Sequence, residues 1–424
     1  LALIICVLIY NTYVNLAIMK GEPITIRRSL KAPYRQLENP RRFQDFLQGQ
    51  GLLSNREQVA EQYDYDWHSR KLSFTEHFNG HVLMQATAYQ SARDHQWAAE
   101  NDPLFAAGNA DVDISVSGLA QANRKRPIAP LYQLLRQVMA AVGDLPHRRL
   151  RALDKETWQG IVHLLGRTDL FDATTLQLPP KLRDWAPSTG DKGAALKLHL
   201  RVAADSGAMH HIQLSPAPGS DSPYFDDMLG DLTEQNDQIY VFDGGYWDIA
   251  TYERIVDTHN HFVTKRGGNI QPQVIEEHPV PDGPLDSGYE VLQDARVYLG
   301  DSQARQYRML HVRLTTDEDI VLLTSLLDLP ADHICLLYRY RWSIEIIFRW
   351  LKQRLQLDHF MSHDPVGILR QILMALLVWS LLVLYNQDPD QLRPKNLWRQ
   401  MQADLHQMIL EYGYQLGQQG APPP

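Results

Sequence analysis

The residues best suited to chemistry lie in the segment 336–357, LLYRYRWSIEIIFRWLKQRLQL. An α-helix turns by about 100° per residue, which brings five polar side chains of this segment onto one stripe about 80° wide. They are Tyr338, Arg341, Glu345, Arg349 and Lys352. The other arc is apolar and predicts the packed face of the helix. The polar stripe therefore presents one carboxylate among cations that can bind phosphate oxygens.

A plainer interpretation of this stripe stays open at this point. Glu345 between Arg341 and Arg349 is also what a ladder of ion pairs four residues apart looks like. Trp342 lies beside the stripe. It can either stack on an unpaired base or belong to the core.

Two aspartates stand at places where strands are predicted. Asp172 lies in LFDATTLQL (170–178), a β-branched segment that ends at two prolines, and Asp243 closes IYVFD (239–243) before Gly244–Gly245. Asp172 can also be a cap or strand-end residue, with Asp169 as its competitor. Packing explains Asp243 poorly, whereas Asp248 is predicted to cap the following helix.

The pattern Tyr338-x2-Arg341-x3-Glu345-x6-Lys352 resembles the YREK signature of DDE transposases in the bacterial insertion-sequence family called IS-four. VFDGGYWD (241–248) looks like the second-aspartate motif of that family, and LFDATTLQLP (170–179) looks like the first. The run 322–360 is similar to its stretch around the glutamate. Two features depart from the family: Lys265–Arg266 stand where a single arginine is usual, and the net charge is −9 where members are typically basic.

The resemblance implies that Asp172, Asp243 and Glu345 hold two Mg²⁺ ions, with Mn²⁺ as a substitute. Two such ions, about 3.5–4 Å apart, serve both the attacking and the leaving oxygen of an in-line displacement. Carboxylate oxygens are the ligands that Mg²⁺ prefers. The implied reaction is cleavage at insertion-sequence ends and strand transfer into target DNA.

The same resemblance assigns DNA contacts to the remaining residues of the stripe. Arg341 and Lys352 would grip phosphates, Tyr338 would bond the terminal phosphate, and Arg349 and Trp342 would lie against DNA. The implied partners are double-stranded transposon ends and target DNA, with a homodimer in the synaptic complex and no membrane partner. The implied location is the cytoplasm, at the nucleoid.

The elements that must position these side chains indicate an α/β fold with an RNase H-like mixed sheet and flanking helices. The predicted order is strand, hairpin, helix, strand, helix, strand, and then a long helix. After 170–178, the predicted elements are strands 196–203, 209–215, 239–243 and 261–265, helices near 222–236 and 248–258, a strand at 307–314, and helices 331–357 and 366–385.

The chain divides by composition into six predicted regions. They are an apolar leader at 1–19 that is predicted to lie upstream of the translated protein, a helical N-terminal DNA-binding region at 20–150, the first core part at 160–265, a β-rich insertion at 266–320 before the glutamate helix, the second core part at 321–386, and a tail at 387–424. In the N-terminal region, Ser115 or Ser117 is predicted to cap a helix that ends at Arg124, Lys125 and Arg126. This basic cluster predicts either a DNA contact or an ordinary helical hairpin.

Composition limits the classes of function. Cys6 and Cys335 are the only cysteines of the 424 residues, which excludes a disulfide framework and a cysteine-based zinc site. The net charge argues against a nucleic-acid partner on average, but phosphate binding depends on local clusters, such as the seven basic residues within 20–42. Residues 1–18 are uncharged and apolar, and Met19 is predicted to be the true start. The apolar run 366–385 is interrupted by Arg370 and predicts a core helix.

Other classes of function compete with a transposase. An RNase H-like nuclease would cut without strand transfer, an inactive remnant would bind DNA only, and a membrane protein would require a functional anchor at 1–18. A histidine metal site at His210–His211 or at His259 and His261 is disfavoured, because no third ligand stands at a useful spacing.

Overall fold

A computed structural model of the chain describes residues 55–66, 72–86, 91–101, 115–143, 161–188, 193–230, 232, 237–268, 270–300, 303, 305–314, 316 and 318–385. The described residues fall into two compact units. Unit 1 holds those up to Leu134 together with Arg354–Val378, and unit 2 holds those in Leu135–Gln353 together with 379–385. The leader, the basic arm and the tail lie outside the described residues.

The centre of unit 2 is a mixed sheet of nine strands. They are β1 (Thr168–Leu178), β2 (Ala194–Ala203), β3 (Met209–Pro216), β4 (Ile239–Phe242), β5 (His261–Lys265), β6 (Pro272–His278), β7 (Glu290–Leu299), β8 (Gln306–Arg313) and β9 (Asp319–Thr324). Their spatial order is β3-β2-β1-β4-β5-β9-β8-β7-β6. The pairs β1–β4 and β4–β5 are parallel, and the other neighbours are antiparallel. The predicted α/β class and the five strands up to β5 are confirmed.

The helices pack around this sheet and, in unit 1, against one another. They are α1 (Arg56–Gln62), α2 (Phe74–Ala86), α3 (Ala92–Asn101), α4 (Val116–Lys125), α5 (Ala129–Gly143), α6 (Val162–Leu165), α7 (Phe225–Leu229), α8 (Ile249–Asp257), α9 (Ala331–Tyr340), α10 (Trp342–Gln353) and α11 (Pro365–Tyr385). The Ser115 side chain caps α4, and Asp248 caps α8 as predicted. Of the predicted helical stretch 222–236, the structure describes 222–230 and 232, and within these the α-helix covers the five residues of α7.

The strands within the predicted β-rich insertion, 266–320, are part of the main sheet. β9 pairs with β5, and β6 to β8 extend the sheet from there. One apolar cluster joins Phe171 of β1 and Phe242 of β4 to Tyr252 of α8, Tyr307 of β8 and Leu323 of β9. The added strands therefore share the core that supports the first five.

The single helix predicted over 331–357 is wrong in two respects, because the helical segment ends at Gln353 and is interrupted before that. The structure divides it into α9 and α10 at Arg341. There the amide of Ile344 donates to the carbonyl of Arg341, three residues back instead of four. The chain tightens for one turn, as in a 3₁₀ helix, and this changes the direction of the side chains on its two sides.

The first part of α11 contains a buried arginine, Arg370, whose charge is satisfied by partners within the fold. In unit 1, Arg370 donates to the Tyr65 hydroxyl (2.7 Å) and to the carbonyl oxygen of Arg126 (2.7 Å). Burial of a charge is tolerated when such partners satisfy it. Among the described residues, one helix, Pro365–Leu384, is long and apolar enough to cross a membrane, and 83% of its apolar window is buried in the protein. This burial agrees with the predicted core helix.

Candidate active site

The register of two parallel strands places Asp172 beside Asp243. Phe171 of β1 pairs with Phe242 of β4, and each aspartate is the next residue along its chain. The backbone of Asp243 is still extended (φ −82°, ψ 161°). Successive side chains of a strand point to opposite faces. Because both phenylalanines lie in the core, the two carboxylates emerge together on the other face of the sheet.

Arg341 joins the third carboxylate to this pair. Its Nη1 donates to Asp172 Oδ2 (2.8 Å) and its Nη2 donates to Glu345 Oε1 (3.1 Å). The Tyr338 hydroxyl donates to Asp243 Oδ1 (3.3 Å), and the guanidinium lies 5.6 Å from the centroid of the Tyr338 ring. One network therefore contains Asp172, Asp243 and Glu345, held by two residues at the junction of α9 and α10.

The charges of this network are unbalanced. Burial raises the pKa of Asp172 to about 6, and repulsion by Asp243 and Glu345 adds to this rise, although Arg341 and the backbone N–H of Ala173 oppose it. Burial works against the charge of Arg341, but the surrounding carboxylates raise its pKa above the ordinary arginine value. Burial also raises the pKa of Tyr338, which stays a neutral donor. Three carboxylates thus share one permanent cation.

The residues fit a divalent metal by the chemistry of their donors. Hard cations such as Mg²⁺ bind carboxylate oxygens, and the excess of negative charge favours a further cation. Within the part of the chain that the structure describes, no group of three or more His, Cys, Asp or Glu side chains is close enough to hold a metal ion as it stands. Asp172 and Glu345 are instead bridged by the guanidinium of Arg341.

The turn after Asp243 requires glycine because two backbones meet there. A Cβ on Gly267 would collide with the carbonyl of Gly244, and a Cβ on Gly244 would lie 3.1 Å from the carbonyl oxygen of Lys265. The Gly244–Gly245 turn therefore lies directly against the segment that follows β5. This contact fixes where β4 ends and where Asp243 projects.

A second buried network beside the carboxylates was not predicted. The Tyr246 hydroxyl lies 3.1 Å from His199 Nδ1, and His199 Nε2 lies 2.8 Å from Ser215 Oγ. Ser215 Oγ donates to the carbonyl of Pro216 (3.2 Å), so it accepts from His199, and His199 in turn accepts from Tyr246. Burial lowers the pKa of His199 to about 4, so the chain of donors is uncharged at neutral pH. It anchors the turn after Asp243 to β2 and β3.

The remaining residues of the predicted stripe differ in exposure. Trp342 and Arg349 are exposed, and Lys352 is half-buried. Trp342 is thus a surface residue rather than a core tryptophan. The apolar arc of α10 is buried as predicted, with Ile344, Ile347 and Leu351 among its buried residues.

The predicted basic cluster of unit 1 contains two exposed residues, Arg124 and Lys125. The guanidinium of Arg126, the third residue of the cluster, already has partners within the fold. It donates to the Leu72 carbonyl (2.6 Å), lies 5.1 Å from the centroid of the Tyr65 ring and pairs with Asp66 (3.7 Å). A phosphate would have to compete with these partners.

Two of the histidines considered as metal ligands, His210 and His261, each pair with a single carboxylate. His210 Nδ1 lies 3.0 Å from Asp169 Oδ1, and His261 Nε2 lies 3.3 Å from Asp237 Oδ1. Asp169, the competitor of Asp172, is itself buried and also lies near Arg201 (3.5 Å). It therefore serves an ion pair rather than the site.

Comparison with known proteins finds relatives that are named as transposases. A putative transposase of Sinorhizobium fredii is 28% identical over 62% of this chain and 69% of its own length. A probable transposase for insertion sequence element IS5377 of Geobacillus stearothermophilus is 26% identical over 52% of this chain and 58% of its own length. A transposase for insertion sequence element IS231F of Bacillus thuringiensis is 20% identical over 46% of this chain and 51% of its own length.

The family described as Transposase DDE domain matches residues 167–381. This match begins just before β1, ends within α11 and contains all three carboxylates. It covers half of the chain and implies an enzyme that acts on DNA and depends on a divalent metal. The chain belongs to the Transposase DDE domain family and is a transposase.

Proposed function

We propose that the chain cuts DNA at the ends of an insertion sequence and joins the freed 3′-hydroxyl to target DNA, using Asp172, Asp243 and Glu345. The observation that carries the proposal is the network in which Arg341 bridges Asp172 and Glu345 while Tyr338 bonds Asp243. It links three carboxylates from a strand, a strand end and a helix within the matched domain.

The proposed cofactor is a pair of Mg²⁺ ions, with Mn²⁺ as a substitute, held by the three carboxylates. When bound, such ions activate the attacking oxygen and stabilise the leaving oxygen. Asp172 and Asp243 supply oxygens from a rigid sheet, which keeps them in place between steps. Glu345 supplies oxygens from the first turn of α10, which begins directly after Arg341.

Arg341 and Tyr338 are proposed to exchange carboxylate partners for phosphate oxygens when DNA binds. A guanidinium forms paired hydrogen bonds with phosphate as readily as with carboxylate. The neutral hydroxyl of Tyr338 adds a donor without adding charge. Lys352 and Arg349 continue this surface along α10, and the exposed Trp342 is proposed to lie against the DNA.

The fold supports the finer assignment to an RNase H-like core. Strands β1 to β5 follow the order β3-β2-β1-β4-β5, with the first hairpins antiparallel and β4 and β5 parallel to β1. We extend the proposal to the IS-four family, its YREK signature, a homodimer that joins two transposon ends, and action at the nucleoid in the cytoplasm. The region 20–150, with Arg124 and Lys125 exposed, is proposed to bind the transposon ends.

The test is a reaction of the purified full chain with a plasmid that carries its coding region with both flanks, in the presence of Mg²⁺. Wild type should release 3′-hydroxyl ends and join them to a second plasmid, and a chelator should abolish both steps. Asp172→Asn and Glu345→Gln should each cut about a thousandfold more slowly, because each loses a metal ligand worth several kcal/mol. Binding to DNA should survive in both variants.

Two outcomes would contradict the proposal. Cleavage without joining would favour a nuclease over a strand-transfer enzyme. Normal cleavage by Glu345→Gln would show that the network is only an ion-pair ladder. The matched control is Asp328→Asn, which removes an exposed carboxylate that pairs with Arg296 (3.6 Å) and should leave the rate unchanged.

A further inference from the structure

Trp247 is an exposed tryptophan that the catalytic network does not use. It follows Asp243 by four residues, and 40% of its surface is exposed. An indole is the largest apolar side chain, and an exposed indole does not contribute the folding free energy that its burial would give. Its position in the turn after a catalytic aspartate is a reason to ask what it contacts.

The ring of Trp247 lies flat on a glycine. A Cβ built on Gly268 would lie 2.7 Å from Cδ2 and 2.8 Å from Nε1 of the indole, and closer still to Cε2. Cε2 is a ring-fusion carbon with no outward edge, so Gly268 must lie over a face of the ring. Gly268 also has a positive φ of 54°, a conformation that glycine adopts without strain. One face of the indole is therefore covered by backbone, while 40% of the residue's surface remains exposed to solvent.

The backbone of Trp247 is fixed on both sides. Ser222 Oγ donates to its carbonyl oxygen (2.9 Å), and the next residue, Asp248, caps α8 through the amide of Thr251 (3.0 Å). The side chain is thus positioned before any ligand binds. A contact made by a preorganised side chain loses little conformational entropy.

The segment below the ring is basic. Gly268 follows Lys265 and Arg266 at the end of β5, and Arg266 is exposed. This segment touches the turn after Asp243 through Gly244 and Gly267. An aromatic face beside cations, on the same turn as a catalytic carboxylate, matches the pattern by which proteins bind unpaired bases: stacking on the ring and attraction of the backbone phosphates.

We propose that the open face of Trp247 stacks on an unpaired DNA base next to the bond that is cut. This inference rests on the proposed function, because it needs DNA at the carboxylates. The stacked base would fix the position of the strand along the site. Every base has a face that can stack, so the contact sets position rather than sequence.

The test measures binding of the full chain to a 20-base-pair duplex of arbitrary sequence with a three-nucleotide single-stranded 3′ overhang. The overhang contains 2-aminopurine, whose fluorescence falls when it stacks. A second probe carries abasic sites in place of the three overhang bases. Trp247→Ala should bind the first probe about 5- to 150-fold more weakly than wild type and should lose the fluorescence change. It should bind the abasic probe as wild type does.

Two further variants separate stacking from folding. Trp247→Phe keeps an aromatic face and should retain most of the affinity, whereas Trp247→Leu covers Gly268 without a π-face and should behave like the alanine variant. The matched control is Trp185→Ala, which removes a tryptophan of similar exposure (39%) from the turn beyond β1 and should bind both probes normally.

The outcomes distinguish this inference from the function on which it rests. If wild type binds neither probe, the proposed action on DNA fails and the inference fails with it. If wild type binds but Trp247→Leu matches it on the base-containing probe, or if Trp247→Ala weakens both probes equally, the stacking contact is refuted while the proposed function stands. A self-association of wild type that Trp247→Ala abolishes, with DNA binding unchanged, would show that this face binds another copy of the chain.

Discussion

Two arginines of unit 2, the buried Arg308 and the partly buried Arg341, differ in how fully their hydrogen bonds are satisfied. Every guanidinium nitrogen of Arg308 donates a hydrogen bond within the fold. Nε and Nη2 donate to the two carboxylate oxygens of Asp294 (2.8 and 2.6 Å). Nη1 donates to the carbonyl oxygens of Leu327 and Leu329 (3.0 and 2.5 Å). Arg341 bonds two different carboxylates, and within the described chain its buried Nε has no hydrogen-bond partner.

The two environments differ in charge and exposure as well. Asp294 and Arg308 form a balanced pair that is almost fully buried. Around Arg341, whose side chain is 13% exposed, Asp172 is 18% and Glu345 31% exposed, and a third carboxylate stands nearby. The pair of Arg308 and Asp294, in which every guanidinium nitrogen is bonded, fixes the loop before α9 through the carbonyls of Leu327 and Leu329. An unsaturated, negatively charged cluster that solvent reaches can still accept cations and exchange partners, as a catalytic site requires.

The largest expected difference is in stability. Arg308→Gln should lower the free energy of unfolding by about 3–5 kcal/mol, because Asp294 is left as a buried charge without its partner. Arg341→Gln should lower the free energy of unfolding by less than half as much, because Glu345 is accessible to water and Asp172 can take up a proton. Urea unfolding of both variants at pH 7 measures this, and equal losses would refute the comparison.

A smaller effect is expected from the uncharged chain of Tyr246, His199 and Ser215. Burial holds the pKa of His199 at about 4, below its ordinary value of 6.5, so the unfolded chain binds a proton in this interval that the folded chain does not. Stability from this residue is therefore complete above pH 6.5 and is lost as the pH falls towards 4.

The variant His199→Asn keeps an acceptor and a donor without titrating. As the pH is lowered from 6.5 to 4, wild type should lose more unfolding free energy than this variant, as followed by urea unfolding at several pH values. Parallel curves for the two proteins would show that His199 is not held neutral, and the turn after Asp243 would then need another anchor.

Much of this arrangement could be predicted from local patterns. Two prolines end β1 after Leu178, Gly244–Gly245 marks the end of β4, and Asp248 was recognisable as a helix cap. The polar stripe around Glu345 was visible because helical periodicity survives within α10. The pairing of Asp172 with Asp243 was implied only by resemblance, since no local pattern reveals that Phe171 lies opposite Phe242.

What could not be predicted depends on contacts between distant residues. The tightened turn at Arg341 has two backbone hydrogen bonds with a spacing of three residues, Arg341 to Tyr338 and Ile344 to Arg341, and it leaves the periodicity of residue types intact. β6 to β8 looked like an insertion because they join the sheet only through β9, which pairs with β5 and comes more than 50 residues after it in the chain. In the sequence, His199 looked like any other histidine on a strand. The register of β2 and β3 brings it to Ser215, and the turn after β4 brings it to Tyr246.

The central claim, that three carboxylates with one arginine need a further cation, is tested most directly by binding of Mn²⁺ without DNA. Calorimetric titration of the full chain should show heat of binding, and a ligand that binds only the folded state should raise the unfolding temperature. Asp243→Asn keeps the shape of the side chain and should lose both signals, while Asp319→Asn, which removes an exposed carboxylate partner of Arg313 (2.9 Å), should keep them. Equal Mn²⁺ binding by wild type and Asp243→Asn would contradict the account.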